Sequence, residues 1–168
     1  MSAPSFERLG VADVEVLRAI RLEALRLHPE AFCFDLDVAE ALTHDQWADG
    51  LAKGTWFGVR MDDVLVAIAA FTRPCSKKLM HTGELSAMYV RAEMRGKGIA
   101  DTLIRGIIGH AVSEVEQIKL TVNAENARAV KLYERHGFRI VGRIPRVIRV
   151  GDRLHDELIM VRGVSPSD

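Results

Sequence analysis

The sequence predicts a mixed α/β fold: a central mixed, mostly antiparallel sheet of six to seven strands with helices on both faces. Three observations lead there. The elements run in the order β-α-α-β-β-β-α-β-α-β-β, which no all-α or all-β architecture accommodates. A continuous apolar run from Leu85 to Val90 passes through a glycine loop into a long amphipathic helix. The 168 residues contain no repeat, low-complexity segment or internal linker, so one domain over residues 1–168 is expected.

Taken in order, residues 5–9 form a short first strand. From Val11 the pattern turns helical. Val14, Leu17, Ile20, Ala24 and Leu27 mark one face, with Arg18, Arg21 and Arg26 interleaved, until Pro29 stops the helix. Residues 29–35 are irregular and carry Phe32 and Phe34, which read either as core plugs or as the wall of a pocket. Thr43 is the N-cap of a second helix, with Gln46 completing a capping box; Trp47 and Leu51 follow, and the helix ends near Gly54. Thr55–Met61 and Val64–Thr72 are strands. Asp62-Asp63 between them lacks the glycine that favours a tight hairpin, so the turn type stays open. Residues 74–82 are a polar connector.

The strand ending at Val90 comes next. Ala100, Leu103, Ile104, Ile107, Ile108, Ala111 and Val112 then give the following helix a single buried stripe. Residues 117–122 are a strand rich in β-branched side chains. A helix from about Ala127 to His136 has Asn126 as N-cap and Gly137 just past its end. Residues 138–143 return as a strand that Pro145 interrupts; residues 147–150 resume it, Gly151-Asp152 turns, and residues 154–161 make the last strand. Residues 164–168 read as a frayed tail.

Composition excludes several functions. Lys plus Arg and Asp plus Glu both number 23, so the net charge is zero, and binding to nucleic acid or an anionic membrane through bulk electrostatics is unsupported. Cys33 and Cys75 make neither a metal-type pair nor a disulfide framework, so a cytoplasmic location is expected. The N-terminus lacks an apolar signal core, and no run approaches the ~18 apolar residues of a membrane span. The six histidines show no ligand spacing, so no metal is expected.

Chemistry concentrates in residues 84–112. Gly96, Lys97 and Gly98 stand where a strand passes into a helix, so backbone can approach a ligand closely and free N–H groups point outward. The helix dipole adds positive potential there, which makes an anion site, best suited to phosphates. A P-loop would need Ser or Thr after Lys97, and a dinucleotide fingerprint would need glycine where Asp101 stands. The pattern Arg95-x-x-Gly98-x-Ala100 instead resembles the pyrophosphate loop of the GNAT N-acetyltransferase superfamily, which holds acetyl-CoA there. Downstream, Asn126-x-x-Ala129-x-x-Leu132-Tyr133-x-x-x-Gly137-Phe138 is similar to a second signature of the same superfamily. The element order also matches the GNAT fold, so the resemblance covers nearly the whole chain.

That resemblance implies a splay between the fourth and fifth strands, with acetyl-CoA as cosubstrate lying in the gap. Main-chain groups of Met88, Tyr89 and Val90 would hold the pantetheine arm. The N–H groups of Gly96, Lys97, Gly98, Ile99 and Ala100 would take the pyrophosphate, with Arg95 and Lys97 adding charge. The Met88 N–H would stabilise the oxyanion, Tyr133 would protonate the leaving thiolate, and Asn126 would contact CoA as well as cap its helix. Tyr133 could instead simply fill core on its helical face.

An alkyl ammonium has a pKa of about 10.4, so a base must help remove its proton. Glu84 stands eleven residues before Arg95, where histone-acetylating members of the superfamily present a glutamate; a solvated strand-end carboxylate is the plain alternative. Ribosomal-protein-acetylating members carry a glutamate at the position of Thr121, so that base is absent, and a water chain is the fallback. Arg139, Arg143, Arg146, Arg149 and Arg153 border the acceptor side as either a solvated face or an anion-binding patch, and His155, Asp156 and Glu157 are equally open. The expected activity is acetyl transfer from acetyl-CoA to a primary amine of an unidentified small molecule, protein or peptide within a ternary complex. The alternative is a non-catalytic acyl-CoA-binding sensor or partner subunit. Edge strands of this fold often pair between subunits, so a homodimer stays open.

Overall fold

A computed structural model of the protein describes residues 3–166. Its seven strands are β1 (Ser5–Arg8), β2 (Thr55–Met61), β3 (Val64–Thr72), β4 (Thr82–Val90), β5 (Gln117–Asn123), β6 (Arg139–Val150) and β7 (Arg153–Gly163). They form one sheet in the order β1-β2-β3-β4-β5-β7-β6. Every neighbouring pair is antiparallel except β4 and β5, which run parallel. The helices are α1 (Val14–Leu27), α2 (Leu36–Ala41), α3 (His44–Lys53), α4 (Ile99–Ala111) and α5 (Ala127–Arg135).

Each face of the sheet carries its own core. On one face, Ile99, Leu103, Ile104, Ile107 and Ile108 of α4 and Tyr133 of α5 pack on Phe57, Val59, Phe71, Leu85, Ile118, Leu120 and Val122. On the other, Leu17, Ile20, Ala24 and Leu25 of α1 and Trp47 and Leu51 of α3 meet Leu65, Ile68 and Tyr89. β3 is buried along nearly its whole length, which explains its unbroken apolar run. The α4 stripe is the main anchor: Leu103, Ile104 and Ile107 are fully buried, each contributing about 1.5–3 kcal/mol by leaving water.

Local chemistry sets the boundaries. Thr43 Oγ1 accepts from the Gln46 N–H while Gln46 Oε1 accepts from the Thr43 N–H, the expected capping box at the start of α3. Asp62 and Asp63 both take positive φ and close a two-residue hairpin between Met61 and Val64, so two aspartates adopt the conformation that Asn-Gly usually supplies. Residues 11–13 form a 3₁₀ turn rather than the first turn of α1.

Four expectations change. Residues 36–41, read as no element, form α2, which buries only Ala39 and is too short to show a period. β6 runs unbroken through Pro145, because the proline falls at a register shift between Ile144 and Ile148 and its missing N–H disrupts no ladder bond there. On α1, Leu27 is 57% exposed and Arg21 only 7% exposed, the reverse of their expected places. At 3.6 residues per turn Arg21 lies about 40° from Leu17 around the helix and Leu27 about 80° away. The tail expected over residues 164–168 is partly tied down, since Val164 N–H donates to the Glu116 carbonyl; residues 167 and 168 lie outside the described ones. Among the described residues no helix is long and apolar enough to cross a membrane.

Candidate functional site

The parallel pair β4–β5 is joined only at its start. Thr82, Gly83 and Glu84 pair with Gln117, Ile118 and Lys119, and beyond them the strands part while β5 stays paired with β7 to its end. On the other side of β4 the register with β3 slips between Ile68 and Ala70, leaving Ala87 and Met88 without register partners. Ala87 takes φ 53°, a left-handed conformation that a non-glycine residue adopts only at a cost of order 1 kcal/mol. The bulge and the fork coincide, so the main chain around Met88 lies next to an open gap.

The gap leads to the start of α4. Gly96 and Gly98 hold φ of 79° and 78°, and nothing lies within 4 Å of where a side chain on either would begin. Gly98 offers no side-chain cap, and the first helical bond runs from Thr102 N–H to the Gly98 carbonyl. The N–H groups of Ile99, Ala100 and Asp101 therefore have no acceptor within the helix. Bare donors, a helix dipole and room for close approach make an anion cradle.

Fork and cradle open into one cavity of about 680 Å³. Of the residues expected to bind the cofactor, Met88, Tyr89, Val90, Arg95, Gly96, Gly98, Ala100, Asn126 and Tyr133 line it, whereas Lys97 and Ile99 do not. The Tyr133 hydroxyl donates to Met88 Sδ at 3.4 Å, and its ring packs edge-on against Phe138 at 5.8 Å. Burial pushes the Tyr133 phenol far above its ordinary value, so it keeps its proton. Asn126 Oδ1 accepts the Ala129 N–H at 3.1 Å, the expected N-cap, which leaves the amide nitrogen unused by the cap.

Two expected residues are engaged by other groups of the protein. The Arg95 side chain turns away from the loop: Nε donates to the Val90 carbonyl at 3.1 Å and Nη2 meets His28 Nε2 at 3.0 Å. A guanidinium can only donate, so Nε2 accepts and Nδ1 carries the ring hydrogen. Arg95 thus ties the end of α1 to β4 and occupies a carbonyl expected to receive the pantetheine arm. Glu84 lies on the joined part of the fork, where its carboxylate meets Lys119 Nζ at 3.0 Å, and it does not line the cavity. The parallel pairing of β4 with β5 brings that lysine alongside.

The pocket-wall reading of residues 29–35 holds for Phe32, while other site residues had no signal in the sequence. His28, Glu30 and Ala31 come from the α1–α2 connection, and Asn123 and Glu125 from the end of β5. Asn123, 4% exposed, joins the two groups, donating from Nδ2 to the Glu30 carbonyl at 3.0 Å and accepting the Glu125 N–H at 2.8 Å. Glu125 also meets the buried His155 Nδ1 at 3.1 Å. Tyr89 donates to Glu23 at 2.9 Å, and burial first, then that bond, raises its phenol to about 12. Burial would raise Asp101, but hydrogen bonds from His136 and Arg135 outweigh it and hold the carboxyl below its usual value. Burial raises Glu157, with a Thr121 hydrogen bond opposing, so the strand beside Thr121 supplies a carboxyl to that neighbourhood.

None of the five arginines at the β6–β7 hairpin lines the cavity. Arg143 Nε donates to Asp156 Oδ2 at 2.7 Å, while Asp156 Oδ1 accepts the Arg146 N–H at 2.7 Å. The Arg146 main-chain bond and then the Arg143 side chain hold the Asp156 carboxyl below its usual value. Phe34 is exposed rather than packed in a core. Among the described residues no group of three or more His, Cys, Asp or Glu could hold a metal ion.

The profile of the acetyltransferase (GNAT) family matches residues 18–138. The L-amino acid N-acetyltransferase AaaT of Escherichia coli is 27% identical over 137 residues, covering 77% of this chain and 79% of that protein. The peptidyl-lysine N-acetyltransferase YjaB of E. coli is 28% identical over 78 residues, covering 46% of this chain and only 50% of that protein. A GNAT-family acetyltransferase from Streptococcus pneumoniae superposes with a TM-score of 0.86 at 22% identity, covering 97% of this chain and all of that one. The yncA protein of Salmonella typhimurium, solved with its cofactor acetyl-CoA, gives a TM-score of 0.84 at 20% identity over 98% of this chain and 96% of that one.

Proposed function

Because the chain belongs to the acetyltransferase (GNAT) family, whose cosubstrate is acetyl-CoA, we propose that it moves the acetyl group to a primary amine by direct attack in a ternary complex. The observation that carries this is the fork between β4 and β5 opening onto the uncapped, glycine-led start of α4. The residues there fit the cosubstrate. The bare N–H groups at the start of α4, with Gly96 and Gly98 leaving room beside them, suit a diphosphate, and the unpartnered stretch of β4 suits the amide-bearing arm. Asn126, through its free amide nitrogen, would add a contact to the arm.

Acetyl-CoA supplies a thioester, the electrophile that the amine attacks. The Met88 N–H would donate to the carbonyl oxygen as negative charge gathers there. The Tyr133 hydroxyl would give its proton to the departing sulfur. It now donates to a thioether sulfur, a weak acceptor, and a thiolate would be a stronger one. Burial keeps the phenol protonated, so the proton is present when the sulfur departs. The amine's proton would pass to water and along it to Glu84, since that carboxylate does not line the cavity.

The relatives are named for acetylating L-amino acids and peptidyl lysine, which share an attacking amine. Calorimetry with acetyl-CoA, followed by thiol release on a panel of small amines, amino acids and lysine peptides, tests the proposal. Uptake of acetyl-CoA with turnover of at least one amine supports it. Uptake without turnover of any amine leaves the non-catalytic acyl-CoA-binding role, and no uptake ends both.

A further inference from the structure

Arg21 is the one charged residue of α1 that the fold buries, at 7% exposed. Among the described residues its Nη1 finds no hydrogen-bond partner. Burial draws the guanidinium down to about 10, and Cys33 is the sole influence in the other direction. A guanidinium taken out of water without a carboxylate is only partly compensated by an aromatic neighbour, and such a group calls for an explanation.

Its surroundings offer one. The guanidinium carbon lies 4.5 Å from the centre of the Phe32 ring, and Phe32 lines the cavity while Arg21 does not. The aromatic ring therefore touches both the cation and the cavity. Phe32 stands between the 3₁₀ turn Pro29–Ala31 and α2, in extended backbone that no helix or strand fixes. A change of its side-chain rotamer would open Arg21 to the cavity. Glu30 and Glu125 line the same cavity, giving an ammonium group acidic neighbours while the cation stays apart.

We propose that Arg21 receives a carboxylate carried by the acetyl acceptor, exposed to it when the Phe32 ring swings aside. The acceptor class is then amines that also bear a carboxylate, with free α-amino acids as the simplest members. This rests on the acetyl-transfer reading above. The planar fork of the guanidinium matches a carboxylate with two parallel hydrogen bonds, which neither lysine nor an uncharged residue reproduces.

The experiment compares thiol release for the twenty L-amino acids with that for their carboxamides, which keep the amine and lose the anion. The wild-type protein should favour acids over matched amides by about 10⁴-fold in kcat/KM, the discrimination that sites built to bond one polar group reach. Arg21→Met should bring that ratio to about one by raising KM for acids, with acetyl-CoA affinity unchanged by calorimetry. Its melting temperature should equal or exceed wild type, because an unpaired buried charge is gone. Phe32→Ala should keep the preference for acids. Amides turned over as well as acids, or a preference surviving Arg21→Met, would overturn the proposal. So would CoA-loaded wild-type protein whose melting temperature no amino acid raises. Acetyl-CoA affinity, read in every variant, separates these failures from failure of the acetyl-transfer reading itself.

Discussion

The Tyr133 hydroxyl donates to Met88 Sδ over 3.4 Å, joining α5 to β4 beside the fork. Replacing Tyr133 by Phe keeps the ring against Phe138 and removes only that donor. The expected result is a fall in kcat of about 100-fold or more, the usual weight of a positioned general acid. Acetyl-CoA affinity and melting temperature should change little. Full activity in Tyr133→Phe would remove the phenol from the mechanism.

Both tyrosines should titrate late. Burial raises Tyr133 far above its ordinary value and raises Tyr89 to about 12. An unfolded phenol ionises at about pH 10, so the folded state holds protons that the unfolded state has lost above that pH. Stability is therefore full below about pH 10 and declines as pH climbs toward the folded values. Absorbance titration should show almost no tyrosinate in the folded protein at pH 10, and about one equivalent in urea, where both phenols are half ionised. Tyrosinate at pH 10 without unfolding would contradict the burial described.

Gly98→Ala tests the cradle through backbone conformation alone, because a methyl group there meets nothing within 4 Å. Holding alanine at φ 78° costs of order 1–2 kcal/mol, which should appear as lost stability or weaker acetyl-CoA binding. Asn tolerates this region better, so Gly98→Asn should lose less. Unchanged stability and affinity in Gly98→Ala would show that the loop relaxes freely.

At Gly106 the constraint is space. A Cβ would lie 2.4 Å from the Phe6 ring, which itself stacks on Phe57 at 5.1 Å. Gly106→Ala should cost about 1–3 kcal/mol through overpacking, and combining it with Phe6→Leu should cost less than the sum of the two changes. Strict additivity in urea unfolding would mean that helix and ring part without strain.

Ala87 carries backbone strain at the bulge. Glycine accepts φ 53° freely, yet enlarges the unfolded ensemble, so Ala87→Gly should alter stability by less than about 1 kcal/mol. Ala87→Val should destabilise by more, since a β-branched residue resists that conformation. Equal stability of the two variants would locate the strain elsewhere.

The parts legible in the sequence were those governed by neighbours along the chain. The stripe Leu103–Ile104–Ile107–Ile108, the capping box of Thr43 and Gln46 and the glycines of the loop all act within a few residues. Apolar residues alone do not mark Arg21 as buried, since the rotation that buries Leu17 carries Arg21 with it. The Glu84–Lys119 pair and the Asn123–Glu30 link join distant segments, and nothing local announces them. Pro145 suggests a break on its own, because the register shift that absorbs its missing N–H depends on the partner strand.

That shift has a consequence for β6 as the outermost strand. Ile140, Val141, Ile144 and Val147 stand exposed along it, the sort of apolar border that invites open-ended stacking of one molecule on the next. The register shift at residues 145–147, with a proline that cannot donate and Arg146 at φ 54°, interrupts the edge against which a second strand would pair. Straightening it, for instance with Pro145→Val, would trade that protection for a longer ladder.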